Sequence, residues 1–183
     1  MNKVIEDIKL DFEDVLIYPV PSDKSLTRKS VDIEIDWLDT KAYPVVISNM
    51  LSTGTYKIAN ILTPLKFFTF IHKEYTVEEH LKELSKMNDR RYIAITSGVQ
   101  SWDKERTIEV VKKYPDIGMI NVDIANVYAN VKGMLDTLQI YRKEFPHITI
   151  SAGNIATPKL IEKLYNAGAD YIKVGVGSGA ACR

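Results

Sequence analysis

The sequence predicts an α/β protein, a (β/α)8 TIM barrel running here to about six βα units, and three observations carry that prediction. Short apolar runs alternate with amphipathic segments at intervals of roughly 25 residues, as repeated strand–helix units require. Runs such as VVIS and FFTFI are nearly continuous, so both faces of each strand need cover, as in a parallel sheet. Polar, chemically capable residues recur just after successive runs: Ser48-Asn49-Met50, His72-Lys73, Thr96-Ser97-Gly98, Asp123, Gly153-Asn154 and a terminal cysteine loop. Taken singly these are ordinary turn residues. A doubly wound sheet is the other product of repeated βα units, but only a barrel brings every strand end to one mouth.

The strands fall at Pro44 to Ser48, Lys66 to Ile71, Tyr92 to Thr96, Gly118 to Asp123, His147 to Ser151 and Asp170 to Val174. Thr76 with Glu79 forms a capping box, and Val77, Leu81 and Leu84 share one face of the helix it opens. The spacing predicts a further helix from Asn130 to Phe145, with Val131, Met134, Leu135 and Leu138 together and Gly133 as its weak point. Thr157 before Pro158 reads as an N-cap, Leu160, Ile161 and Leu164 as the buried stripe, and Gly168 as a left-handed stop. Ahead of the first unit, VDIEID reads as a small outer strand. No linker or repeat divides the chain, so the expectation is one domain over 1–183, with an N-terminal segment at 1–43 and the strands and cysteine loop at 44–183.

Twenty-four basic residues balance twenty-four acidic ones, which excludes a global field for nucleic acid or an anionic membrane. The N-terminus lacks a signal-peptide core, and no apolar run approaches membrane-spanning length, so the expectation is a cytoplasmic protein. The single cysteine, Cys182, excludes an internal disulfide. It closes the stretch YIKVGVGSGAACR, a short strand that runs into glycines at 175, 177 and 179. A lone thiol is more often a small buried hydrophobe than a catalyst. On a glycine loop after a strand, where backbone groups can approach a ligand, it reads as a nucleophile.

The motifs LDFEDVLI at 10–17, SNM at 48–50, HKEY at 72–75, SG at 97–98, DIAN at 123–126, AGN at 152–154 and GADYIKVGVGSGAAC at 168–182 follow one another in order. On these the chain resembles the IMP dehydrogenase/GMP reductase family over nearly its whole length. Within the family it looks like the GMP reductase branch. Dehydrogenases usually carry SPM where this chain has SNM, and insert regulatory modules where only a short helix lies between Tyr75 and Tyr92. Ser178 is the dehydrogenase-like detail.

The resemblance implies NADPH-dependent reductive deamination of GMP to IMP and ammonia, with Cys182 adding to C2 of the purine to form a covalent thioimidate. It places Lys73 beside cofactor and substrate, and Asp123, Ile124, Ala125, Val176 and Gly177 along the nicotinamide side. Thr27 and Arg28 align with a pair that reaches NADPH from a neighbouring subunit. Ser48, Asn49 and Met50 would approach the nucleotide, and the carbonyls of Gly177, Gly179 and Cys182 would hold a potassium ion. A homotetramer and a place in purine salvage are implied likewise. His72 reads as a packed imidazole at a strand end.

Some residues depart from the family pattern. Leu51 stands where a carboxylate is usual, Val127 adds bulk to a turn that normally tolerates positive φ, and Ala180-Ala181 replace a polar–apolar pair. Six strands do not close an eight-stranded barrel, and the family's elements beyond the cysteine have no counterpart, so this chain alone is expected to be inactive. Three readings stay open: part of a GMP reductase, an IMP dehydrogenase-like enzyme oxidising IMP with NAD, or a non-catalytic nucleotide-binding or subunit-pairing protein.

Overall fold

The computed structural model describes residues 14–21, 25 and 27–176. It divides the chain into two units, Ile33–Val176 and a second made of Met1–Asp32 with Gly177–Arg183. Of the second unit, a turn is described in which Ser30 N–H donates to the Thr27 carbonyl (2.9 Å) and Thr27 N–H to Ser30 Oγ (2.8 Å).

The larger unit opens with a hairpin, β1 (Ile35–Trp37) and β2 (Thr40–Ala42), followed by β3 (Val46–Ile47), α1 (Tyr56–Leu62), β4 (Phe68–Ile71) and α2 (Val77–Leu84). Then come β5 (Ile93–Ser97), α3 (Ser101–Lys113), β6 (Met119–Asp123), α4 (Val131–Glu144), β7 (Thr149–Ile155), α5 (Ile161–Asn166) and β8 (Tyr171–Val174). Strands β3 to β8 form one parallel sheet in strict sequence order. A doubly wound sheet reverses strand order at a switch point. This sheet has no reversal among the described residues, so it is the wall of an incomplete barrel. Among the described residues no helix is long and apolar enough to cross a membrane.

Alternation sends the two faces of the sheet to different partners. Ile71, Ile93, Ile95, Ile120, Val122 and Ile150 face outward and pack with Leu84, Val110, Met134, Leu138, Tyr141 and Leu164 from the helices. Phe68, Phe70, Ala94 and Met119 face inward, where Trp37 and Val46 join them. The hairpin is docked to this inner cluster: the Trp37 ring lies 5.0 Å from Phe68, and Tyr92 Oη donates to the Lys41 carbonyl (2.8 Å). The outer strand expected at VDIEID is instead β1, which takes only Ile35 and Asp36 from the motif, pairs with β2 and packs on the inner cluster.

Both bonds of the Thr76–Glu79 capping box form. Gly168 adopts φ 113° and ends the α5 segment as expected. Gly133 lies in the first turn of α4, under its cap. Asn130 Oδ1 caps α4 by accepting its N–H (3.0 Å), and a Cβ there would sit 2.6 Å from the Asn130 amide nitrogen. Thr157 does not cap by its side chain; the segment begins as a 3-10 turn at Pro158–Leu160, and the Thr157 hydroxyl pairs with Tyr128 Oη at 2.6 Å.

Candidate functional site at the strand ends

Parallel pairing sets Asp123 of β6 beside Gly153 of β7, and Gly153 beside Lys173 of β8. A Cβ on Gly153 would lie 2.5 Å from that of Lys173, so glycine lets the two strands keep this register. The Lys173 ammonium crosses the inner face, donating to the Asp123 carboxylate and to Asn49 Oδ1 (3.0 Å). Asn154 Nδ2 completes the cluster with bonds to Asp123 Oδ2 (3.4 Å) and to the Ile124 carbonyl (3.3 Å). Three motifs far apart in sequence, SNM, DIAN and AGN, meet here. The residue that joins them, Lys173, was not among those the sequence singled out. Its signal was positional: a lysine at an inward position of a short apolar strand must find a partner for its charge.

Lys173 of this cluster also lines a cavity of about 250 Å³, together with Trp37, Ser48, Phe70, Met119 and Ser151. Its lining is mostly apolar with a few hydroxyls and one cation, the make-up of a small-molecule pocket. Ser48 and Asn49 are held there by a tight turn. Thr53 Oγ1 donates to the Ser48 carbonyl (2.9 Å), Gly54 N–H to the Met50 carbonyl (2.7 Å), and His72 N–H to the Gly54 carbonyl (2.8 Å). A Cβ on Gly54 would meet the Phe70 carbonyl and would lie 2.8 Å from Asn49 Cα, so this turn requires glycine for close approach. Met50 and Leu51 are exposed.

The β4–α2 turn carries Lys73. His72 stacks on Tyr75 with ring centroids 4.3 Å apart, and its Nδ1 accepts from Glu74 N–H (3.2 Å), so the neutral ring carries its proton on Nε2. Burial pushes the His72 pKa down. The imidazole is packed, as its sequence context predicts. Among the described residues Lys73 makes no hydrogen bond to the Asp123–Lys173 cluster.

Ser97 departs from the expected row of mouth residues. It points outward and is buried, bonded to Tyr141 Oη (2.5 Å) and donating to the Gly98 carbonyl (2.8 Å), while burial pushes the Tyr141 phenol up to about 12. Thr96 points inward and accepts from Asn121 Nδ2 (3.1 Å). Ile124, just past β6, is stitched to the end of β7, donating to the Gly153 carbonyl and accepting from Asn154 N–H, both at 3.0 Å. Ala125 is exposed, and Val176 is 42 % exposed just past β8. Val127 does not burden its turn: it has no positive φ, and its side chain is fully buried in the outer core. Thr27 and Arg28 belong to the smaller unit. Gly177, Gly179 and Cys182, expected to supply the cation ligands and the nucleophile, lie outside the described residues. Among the described residues no group of three His, Cys, Asp or Glu side chains could hold a metal ion.

Comparison with known proteins agrees with this architecture. The family model described as "IMP dehydrogenase / GMP reductase domain" matches residues 9–183. The GMP reductase of Phytophthora infestans is 36 % identical over 188 residues, covering 100 % of this chain and 51 % of the relative. GMP reductase 2 of Bos taurus is 34 % identical, covering 100 % and 53 %, and GMP reductase 1 of Homo sapiens 33 %, covering 100 % and 54 %. The crystal structure of inosine 5′-monophosphate dehydrogenase from Legionella pneumophila superposes with a TM-score of 0.81 at 26 % identity, covering 94 % of this chain and 52 % of that one. The chain spans about half the length of the relatives it matches.

Proposed function

Because the chain belongs to the IMP dehydrogenase / GMP reductase family, we propose that its 183 residues form a single catalytic domain, the first six βα units of a GMP reductase barrel, for NADPH-dependent conversion of GMP to IMP and ammonia. The observation that carries the choice of branch is the match over the whole chain to proteins named GMP reductase.

In this reading Cys182 adds to C2 of the purine, the 2-amino group leaves as ammonia, and the thioimidate between C2 and sulfur is broken once C2 is reduced. NADPH, when bound, supplies the hydride. The cluster at the strand ends fits such a group: Asp123 accepts from hydroxyls or an amide, while Lys173 and Asn154 donate. Ser48, Asn49 and Met50 approach the nucleotide, and the apolar wall of Phe70 and Met119 excludes water beneath it. Lys73, on the turn shaped by the His72–Tyr75 stack, assists proton transfer or donates to the nucleotide. Ile124, Ala125, Val176 and Gly177 line the nicotinamide side, Thr27 and Arg28 reach a dinucleotide in a neighbouring subunit of a tetramer, and the carbonyls of Gly177, Gly179 and Cys182 ligate potassium.

The test is NADPH consumption with GMP, measured for the 183-residue chain and for the chain extended through any codons that follow in its reading frame, each beside Cys182→Ala. Consumption that needs Cys182 supports the proposal. Reduction of NAD with IMP in its place would make this a dehydrogenase. Silence in every arm, with GMP still bound, would mark a non-catalytic nucleotide-binding protein.

A further inference from the structure

We propose that Tyr128 is a positioning residue whose hydroxyl staples the loop after β6 to the loop after β7, holding the Asp123–Ala125 segment and Asn154 in register at the mouth. Tyr128 lies in the 3-10 turn Val127–Ala129 that follows DIAN. Two contacts fix that turn on its own side: Asn126 Oδ1 accepts Tyr128 N–H (3.0 Å), and the Val127 side chain is fully buried. Across the gap, Tyr128 Oη accepts from the backbone N–H of Ala156 (3.1 Å) and of Thr157 (2.7 Å), and pairs with Thr157 Oγ1 (2.6 Å). A phenol has one donor and two lone pairs, so three partners use its whole capacity. The ring itself is 42 % exposed, so this hydroxyl is held by polar geometry rather than by packing.

The staple stands outside a second line of bonds that belongs to the site. Ile124 N–H to the Gly153 carbonyl, Asn154 N–H to the Ile124 carbonyl, and Asn154 Nδ2 to Asp123 join the end of β6 and the residue after it to the end of β7, one step nearer the sheet. Without the phenol, the N–H groups of Ala156 and Thr157 lose their acceptor, and the connection rests on these inner bonds, on Asn154 Nδ2 to the Ile124 carbonyl and on the buried Val127. The hydrogen bond with Thr157 and the two N–H donors also hold the Tyr128 phenol below the ordinary tyrosine range, a signature the buried Tyr56 and Tyr141, both shifted upward, cannot imitate. The link to a dinucleotide rests on the reading of Asp123–Ala125 given above; the staple does not.

Amide hydrogen exchange by NMR on the 183-residue chain, wild type against Tyr128→Phe, decides the matter. Losing one hydrogen-bond acceptor at this exposed site should quicken Ala156 and Thr157 about fivefold to tenfold. Ile124 and Asn154 should quicken severalfold, while Ile120 and Val122 inside β6 stay unchanged and show the sheet intact. A spectrophotometric tyrosine titration should lose a component below the ordinary tyrosine range in the variant. Unchanged exchange at Ala156 and Thr157 would overturn the staple, and unchanged exchange at Ile124 and Asn154 would overturn its positioning role. With NADPH and GMP titrated separately, the Kd for NADPH should rise severalfold in Tyr128→Phe and that for GMP hold. A wild-type chain that binds no NADPH would count against the dinucleotide reading, while the exchange rates still decide the staple.

Discussion

Ile120 and Asn121 are neighbours in β6, both fully buried, and they face opposite sides of one sheet. Ile120 meets the helices in an apolar layer where side chains interlock and an apolar residue of similar volume is tolerated best. Asn121 meets Thr96 in an inner layer that grows more polar toward the strand ends, from Met119 through Asn121 to Asp123. The outer face therefore stores stability and the inner face stores chemistry. Substitutions on the two faces should separate those quantities.

The largest effect belongs to the outer face. Leu138 on α4 is fully buried against the sheet, and Leu138→Ala removes its methyl groups and leaves a cavity, costing about 3 kcal/mol. Urea unfolding checks this. A loss below 1 kcal/mol, roughly that of a surface change, would mean the outer layer is not the close-packed body described.

A polar intrusion into the same layer gives the next effect. His80 on α2 is fully buried, its Nδ1 2.6 Å from Tyr56 Oη and its ring 5.5 Å from that of Tyr75. Burial, then the nearby Arg106 and His72, push its pKa from 6.5 down to about 3, and burial drives the Tyr56 phenol upward. Tyr56 is thus the donor and His80 the neutral acceptor. The unfolded chain takes up a proton near pH 6.5 that the folded chain refuses until about pH 3, so stability is full above the first value and falls as pH drops toward the second. At pH 5 the loss is about 2 kcal/mol. His80→Gln, compared with wild type by thermal unfolding at pH 7.5 and pH 5, should flatten that dependence. Equal slopes would show that other groups carry the acid sensitivity.

What the sequence disclosed divides along the same line. Strands announce themselves because burial on both faces leaves apolar runs, and β4, β5, β6 and β8 fall on the runs expected for them, whereas β7 (Thr149–Ile155) starts later than the run at 147–151 and continues through Gly153 and Asn154. Helix ends were legible where a short motif contains its own partner, as Thr76 contains Glu79. At Thr157 the N-cap position before Pro158 was legible but the use of its hydroxyl was not, because that group pairs with Tyr128, 29 residues away. The hairpin was hidden because strands of three residues carry too little pattern. At the mouth, Asn49 and Asp123 were legible as polar residues at strand ends. Lys173 was not, because its role depends on a register between β6, β7 and β8 that no local spacing encodes.

Lys173 also gives the smallest stability effect and the clearest separation. Its ion pair with Asp123 borders the cavity and keeps some exposure, 27 % for the lysine side chain and 13 % for the aspartate. Water reaches this pair only in part, so solvation offsets some of its attraction. Lys173→Gln keeps a donor for Asp123 and Asn49 while removing the charge, so the carboxylate stays hydrogen-bonded and stability should fall by about 1.5 kcal/mol, less than in Leu138→Ala. Ligand recognition should suffer far more, because the cation that arranges the Asp123 carboxylate is gone. On the reading proposed above, in which this cluster holds a dinucleotide, NADPH affinity should fall tenfold or more, about 1.4 kcal/mol. If the variant instead unfolds as readily as Leu138→Ala while binding NADPH normally, the inner cluster is a structural brace and the division of labour between the two faces of the sheet fails.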